Sequence, residues 1–190
     1  MPTDDAARWD ARYREDDRYA RFGHPRDFLV ENLPRLPAGG LALDAAMGLG
    51  ANAGYLIEHG WQVIGVDISG VAVRDAHRRY PSLMAVQADL THFNLPPARF
   101  DLIMNFYYLQ RDLWPKYLLA LKLDGWLMIE TLTQEMLSIQ PDIDPNYLLS
   151  PGELLEAFSG KLEIVDYREG WIPGEHEHPR AVASLLGHKR

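Results

Sequence analysis

Residues 41–53 read LALDAAMGLGANA, an apolar run that ends in Asp44 and opens at once into a turn carrying Gly48 and Gly50. Short aliphatic runs bounded by glycine are buried strands, and the spacing predicts a strand over Leu41–Asp44 followed by a helix from about Ala51 to His59, stopped by Gly60. A residue without Cβ lets the backbone turn tightly and approach a ligand closely, which is the use expected of Gly48 and Gly50. With Ala53, the string GLGANA also fits the loose dinucleotide pattern GxGxxG/A, a weak signal by itself.

Outward from that turn the same alternation continues. Trp61–Asp67 predicts a second strand, Ser69 caps a helix to about Tyr80, and Leu83–Gln87 predicts a third strand. Phe100–Phe106 predicts the fourth, Arg111–Leu123 a helix, and Gly125–Thr131 the fifth strand. Ser150-Pro151-Gly152-Glu153 opens a short helix, and the strand-like segments Lys161–Trp171 and Arg180–Lys189 are joined by too few residues for a crossover, so they pair antiparallel. The expected class is α/β: a doubly wound, mostly parallel seven-stranded sheet with an antiparallel C-terminal hairpin and helices on both faces. A first helix carrying Trp9 and Tyr13, and a second from about Pro25 to Leu33, precede the sheet. Residues 1–190 are expected to form one domain, with 1–36 as a helical lid or cap segment.

Composition narrows the chemistry. The chain has no cysteine, which removes disulfides, thiolate nucleophiles and Cys-ligated zinc. A net charge of −8 disfavours nucleic acid, which is held by surplus Lys and Arg. Arg8, Arg12, Arg14, Arg18, Arg21 and Arg26 crowd the N-terminal segment, but the acids interleaved with them make it a solvated helix face. No apolar run reaches the length of a membrane span and the charged N-terminus lacks a signal-peptide core, so a cytoplasmic protein is expected. His176, Glu177 and His178, set between Pro173-Gly174 and Pro179, read as an exposed loop, and no metal site is expected.

Ligands of an open parallel sheet bind beyond the carboxyl ends of its strands, near the point where strand order reverses. Three of those ends carry an acid, one per βα unit: Asp44, Asp67 and Asp89. Asp44, just ahead of the glycine turn, suits a cationic ammonium or sulfonium better than a pyrophosphate. Asp67 suits a ribose diol, since one carboxylate accepts two hydrogen bonds from vicinal hydroxyls, and Asp89 suits an exocyclic amine. A lone acid such as Asp101 reads instead as a cap or turn residue. Tyr107 and Tyr108 either line a pocket or roof the core. Glu130, Glu169 and His24 are candidate bases, and none is assigned a catalytic role.

At these residues the chain resembles the S-adenosylmethionine-dependent methyltransferases of the Rossmann-like class, and within them the tellurite-resistance-type small-molecule group. The similarity runs through WDARYRE, LDAAMGLGANAGYL, VIGVDIS, ADL, FDLIMNFYYL and LLSPGELLEAF. It implies S-adenosyl-L-methionine as cofactor, with the first loop, Asp44, Ala45, Ala46, Gly48 and Asn52, around the methionine moiety and Gly50 in the same turn. It likewise implies Asp67 on the ribose, Ile68 against the adenine, Asp89 and Leu90 at the adenine edge, and Asn105 and Phe106 beneath the sulfonium. Trp9 and Tyr13 become lid residues. The chain departs from the family at Ala46, where a glycine is usual, and at Met47, where a cysteine is common. A methyl group at position 46 is compatible with an unstrained loop only if its φ stays negative.

The resemblance implies methyl transfer to a small acceptor, neither nucleic acid nor a protein surface. The segment Thr133–Leu149, with Met136, Leu137, Ile139 and Ile143, is expected to form an apolar cap over the transfer or a flap on the sheet edge. A nicotinamide-dinucleotide oxidoreductase and a non-catalytic S-adenosylmethionine-binding protein are the alternatives.

Overall fold

Two hydrophobic cores lie back to back, separated by one sheet, and the sheet's own alternation assigns residues to each. The computed structural model describes residues 2–15, 23–174 and 179–190. Its strands are β1 (Leu41–Ala45), β2 (Gln62–Asp67), β3 (Met84–Gln87), β4 (Phe100–Phe106), β5 (Leu121–Leu132), β6 (Glu163–Ile172) and β7 (Arg180–His188). Successive side chains of a strand point to opposite faces. Leu43 and Ala45 of β1, Ile103 of β4 and Leu127 and Ile129 of β5 therefore enter one core, while Ala42, Leu102, Met104 and Met128 enter the other. The helices are α1 (Pro2–Glu15), α2 (Asp27–Asn32), α3 (Ala51–Glu58), α4 (Gly70–Arg79), α5 (Trp114–Ala120) and α6 (Glu153–Phe158). Trp114, Tyr117, Leu154 and Phe158 from α5 and α6 fill the first core. Phe28, Leu29, Ala53, Leu56 and Ala76 from α2, α3 and α4 fill the second.

The strand order is β3-β2-β1-β4-β5-β7-β6. All pairs from β3 to β5 are parallel, and β7 is antiparallel to both β5 and β6. The chain winds outward from β1 through β2 to β3, then returns to β1's other side as β4, so the switch point lies between β1 and β4. Because β7 runs backwards, its first residues stand at the same edge of the sheet as the last residues of β4 and β5: Glu130 pairs with Ser184 and Leu132 with Val182.

Where expectation and structure part, the reason is local. The helix expected to reach Leu123 ends at Ala120, and β5 begins at Leu121. Tyr117-Leu118-Leu119-Ala120-Leu121 is apolar on either period; pairing of Leu121 with Phe100, ahead of a register shift in which residues 122–125 of β5 bulge opposite Asp101, decides for strand. Asp101 is neither cap nor turn: it lies inside β4, where Oδ2 accepts the Leu41 N–H at 2.8 Å and both oxygens take the Lys122 ammonium at 2.8 Å. Thr133–Leu149 forms a flap, with Met136 and Leu148 building a small separate core on Ala181 of β7. Arg111 pins that flap by donating to the Asn146 and Leu148 carbonyls and pairing with Glu153. His176, Glu177 and His178, and residues 16–22 of the expected lid, lie outside the described residues. Among those described, no cluster of potential metal ligands occurs and no helix is long and apolar enough to cross a membrane.

Candidate functional site

The turn after β1 holds three residues in the left-handed region, Ala46 (φ 59°), Gly48 (φ 55°) and Gly50 (φ 76°). Two are glycines, to which that region is open; Ala46 carries a Cβ, and its positive φ does not meet the condition for an unstrained loop. The left-handed conformation costs a residue with Cβ about 1–2 kcal/mol. The alanine thus keeps the backbone path a glycine would take, at the expense of strain. Met47 between them is buried; its N–H donates to the Val66 carbonyl at 3.1 Å, which ties the turn to β2.

Asp67 fastens the turn from the neighbouring strand end. Its Oδ2 accepts the Gly48 N–H at 2.8 Å and its Oδ1 the Ser69 N–H at 2.9 Å. It is 6% exposed, and burial raises its pKa against the opposing pull of those amides. The Ile68 N–H also bonds to this carboxylate, which thus accepts three backbone amides.

Asp44 lies deeper, 1% exposed. It accepts the Ala53 N–H, but Oδ2 has no partner among the described residues. Burial first, and the Asp67 carboxylate second, push its pKa up to about 7. A buried carboxylate oxygen without a donor is costly and calls for a cation or a proton. Ala45, next in β1, pairs with Val66 on one side and Asn105 on the other, and the Asn105 amide donates to the Ala45 carbonyl at 3.3 Å.

Asp89 stands at the end of β3, with its carboxylate turned to its own loop. Oδ1 accepts the Thr91 N–H and hydroxyl, and Oδ2 contacts His92 Nδ1 at 2.9 Å. Although partial burial works the other way, these bonds hold its pKa below the ordinary carboxylate value. Leu90 beside it is buried, and Ile68 follows Asp67 half-buried. Phe106 is buried at the end of β4.

Three further features were not read from the sequence. Asp10 of α1 reaches the start of α4, where Oδ1 accepts the Ser69 hydroxyl at 2.6 Å and the Val71 N–H at 3.1 Å. That contact lays α1 against Asp67, and Tyr13 comes with it: a Cβ on Gly48 would lie 2.9 Å from the Tyr13 hydroxyl oxygen. Second, Asn52 accepts the Arg26 N–H through Oδ1 at 2.9 Å, joining α3 to the start of α2. Third, Tyr107 takes φ 55° at the end of β4, and the Arg26 and Arg180 guanidiniums stand 4.5 and 5.2 Å from its ring centroid. Tyr107 is bonded to Glu130, 4% exposed, which also accepts the Ser184 hydroxyl at 2.7 Å. Of the other candidate bases, Glu169 is spent on the Gly152 N–H and Tyr167, and His24 is exposed.

Residues 42–122, from β1 to the start of β5, match the family model described as a methyltransferase domain. Two Mycobacterium tuberculosis proteins, each named a probable S-adenosylmethionine-dependent methyltransferase, are 36% identical over 72 residues, 38% of this chain and 26% of theirs. The chain thus spans about a quarter of the length of these curated relatives. Among solved structures, the TehB-like SAM-dependent methyltransferase of Corynebacterium glutamicum aligns with a TM-score of 0.67 at 21% identity, over 97% of this chain and 99% of that one. A protein from work on the conversion of a disulfide bond into a thioacetal group during echinomycin biosynthesis aligns at 0.74 and 18%, over 97% and 91%. At such identities the likeness is one of fold.

Proposed function

We propose that this chain is an S-adenosylmethionine-dependent methyltransferase acting on a small acceptor, of the tellurite-resistance-type group. The observation that carries the reading is Asp44, a buried carboxylate with an oxygen lacking a donor at the turn after β1. A pyrophosphate there would be repelled; an ammonium supplies the missing donor and charge. Asp67, at the end of β2, suits the ribose hydroxyls, and Ile68, Asp89 and Leu90 the adenine. Asp89 meets an amine only through lone pairs left over from Thr91 and His92. Asn105 and Phe106 form the floor under the reacting centre, and Tyr13 on α1 covers the turn at Gly48.

Bound S-adenosylmethionine would supply an activated methyl group with a good leaving group. What remains for the protein is to hold two reactants in line and keep water out, worth several kcal/mol without any nucleophile of its own. The absence of cysteine and the buried, bonded state of Glu130 fit that division of labour. The apolar flap Thr133–Leu149 closes the β5–β7 side of the same edge.

Isothermal titration with S-adenosylhomocysteine and, in parallel, with reduced nicotinamide dinucleotide tests the reading. Saturable binding of the first and none of the second is expected. Binding of the dinucleotide alone would overturn it.

A further inference from the structure

We propose that Trp114, Tyr117 and Thr133 form the deep end of the acceptor pocket and take a neutral, hydrogen-bond-accepting oxygen, such as the carbonyl of a small uncharged acceptor. The inference rests on the methyl-transfer reading and adds a substrate class to it. The Trp114 Nε1 and the Tyr117 and Thr133 hydroxyls are buried and have no hydrogen-bond partner among the described residues. The three residues are 9%, 1% and 2% exposed. A buried donor without an acceptor is costly, and phenylalanine at 117 or valine at 133 would fill the same volume without that cost.

All three stand in one layer and at one end of it. Trp114 opens α5, where the connection from β4 ends, so it lies at the carboxyl edge of the sheet. Tyr117 follows one turn later on the same face, and helical side chains lean back toward the N-terminus, here toward that edge. Both enter the first core, where the Trp114 ring packs on Phe158 at 5.4 Å between centroids. Thr133 leaves β5 at the same edge and bridges to Leu149, itself part of the first core; residues opposite each other in a bridge share a face. Tyr108, half-buried, links this layer to the cofactor side. Its hydroxyl acts on that of Tyr117, while Asp89, Asp5 and Asp67 act on Tyr108.

The donors select the ligand. An indole N–H only donates, so a cation finds no acceptor there. An anion would lose its hydration in an apolar layer, near the carboxylates that surround Tyr108. The basic side chains flanking Trp114 in sequence are engaged elsewhere: Arg111 with the Asn146 and Leu148 carbonyls and Glu153, Lys116 with the Thr91 carbonyl. A neutral oxygen meets the donors with two lone pairs and brings no charge into the core.

The test titrates the full chain with 4-hydroxyacetophenone, 4-ethylphenol and 4-hydroxybenzoate, with and without saturating S-adenosylhomocysteine, by calorimetry or ligand-observed NMR. The ketone is expected to bind at least about tenfold more tightly than the ethyl compound, which lacks the oxygen, and than the carboxylate, which carries charge. Tyr117→Phe and Thr133→Val should each cut the ketone-over-ethyl preference by about threefold or more. A structural role alone, such as holding buried water, would move the melting temperature of both variants and leave that ratio untouched, which overturns the proposal. So does a wild-type chain that binds the ketone no better than the other two, or binds none of the three. Should S-adenosylhomocysteine fail to bind while the hydroxyl-dependent preference for the ketone persists, the polar subsite stands and the cofactor reading falls.

Discussion

The two halves of the sheet's carboxyl edge carry opposite charge, and adjacent tyrosines report it. On the β1–β2–β3 side stand Asp44, Asp67 and Asp89, with Asp10 brought in by α1. On the β4–β5–β7 side Arg26 and Arg180 meet over Tyr107. Tyr108 is pushed up to about 12 by burial and then by Asp89, Asp5 and Asp67. Tyr107 reaches about 12 as well, through burial and Glu130, but against the pull of both arginines. Burial sets the value in each case; the sign of the surroundings differs. An edge divided in this way sets carboxylates on one side of β4 and, on the other, two arginines held by Tyr107 and Glu130.

The largest break in this asymmetry should come from Asp44→Asn. Loss of a buried charge opposite an ammonium is expected to weaken S-adenosylmethionine binding by about 30-fold or more, measured by calorimetry at pH 8. Stability should move the other way. Because the folded carboxyl titrates at about 7, above its unfolded value, its contribution is present at low pH and lost as pH rises through 7. The variant's ligand-free melting temperature should exceed wild type by about 5 °C at pH 8, and by less than half of that at pH 5. By the same linkage, wild-type affinity should fall as pH drops below about 7 and the variant's should not; parallel profiles would remove Asp44 from the cationic contact.

Asp67→Ala comes next. It frees the Gly48 and Ser69 amides as well as the proposed ribose contact, so affinity for S-adenosylhomocysteine is expected to fall by about tenfold or more. Unchanged affinity in the same titration would exclude it. Asp10→Ala removes a cap from α4 and the tie that holds α1, contacts worth about 0.5–2 kcal/mol. Amide exchange in residues 2–15 should accelerate several-fold and cofactor affinity drop by about threefold, sharpening the role of α1 as a cover. Equal exchange in both proteins would show that Asp10 does not hold it. The smallest effect is a gain: Ala46→Gly relieves the left-handed alanine, less the greater freedom of glycine in the unfolded chain. A rise of about 2 °C in melting temperature, with affinity within about twofold, is expected by scanning fluorimetry.

The acidic half was legible in the sequence and the basic half was not, for a physical reason. Asp44, Asp67 and Asp89 each close a strand whose apolar run announces it, so one-dimensional pattern places them at a common edge. Arg26 and Arg180 come together only through tertiary packing, α2 on one face and an antiparallel β7 beside β5. Glu130, a charge inside the apolar stretch WLMIETL, was the one signal on that side, and its partners Tyr107 and Ser184 lie far along the chain. The positive φ of Ala46 was not legible because the turn's hydrogen bonds, Met47 to Val66 and Gly48 to Asp67, override the local preference of alanine. The boundary of α5 failed where both periodicities fit the same residues.

Met47 also binds the history of its neighbour. A Cβ placed on Gly65 of β2 would lie 2.1 Å from the Met47 sulfur, so no side chain at 65 can coexist with the thioether as it is packed. The two positions are coupled: alanine at 65 requires the Met47 thioether to swing to another rotamer or a shorter residue at 47. Met47→Ala is thus the change that makes room, and Gly65→Ala alone the one that must displace a buried side chain.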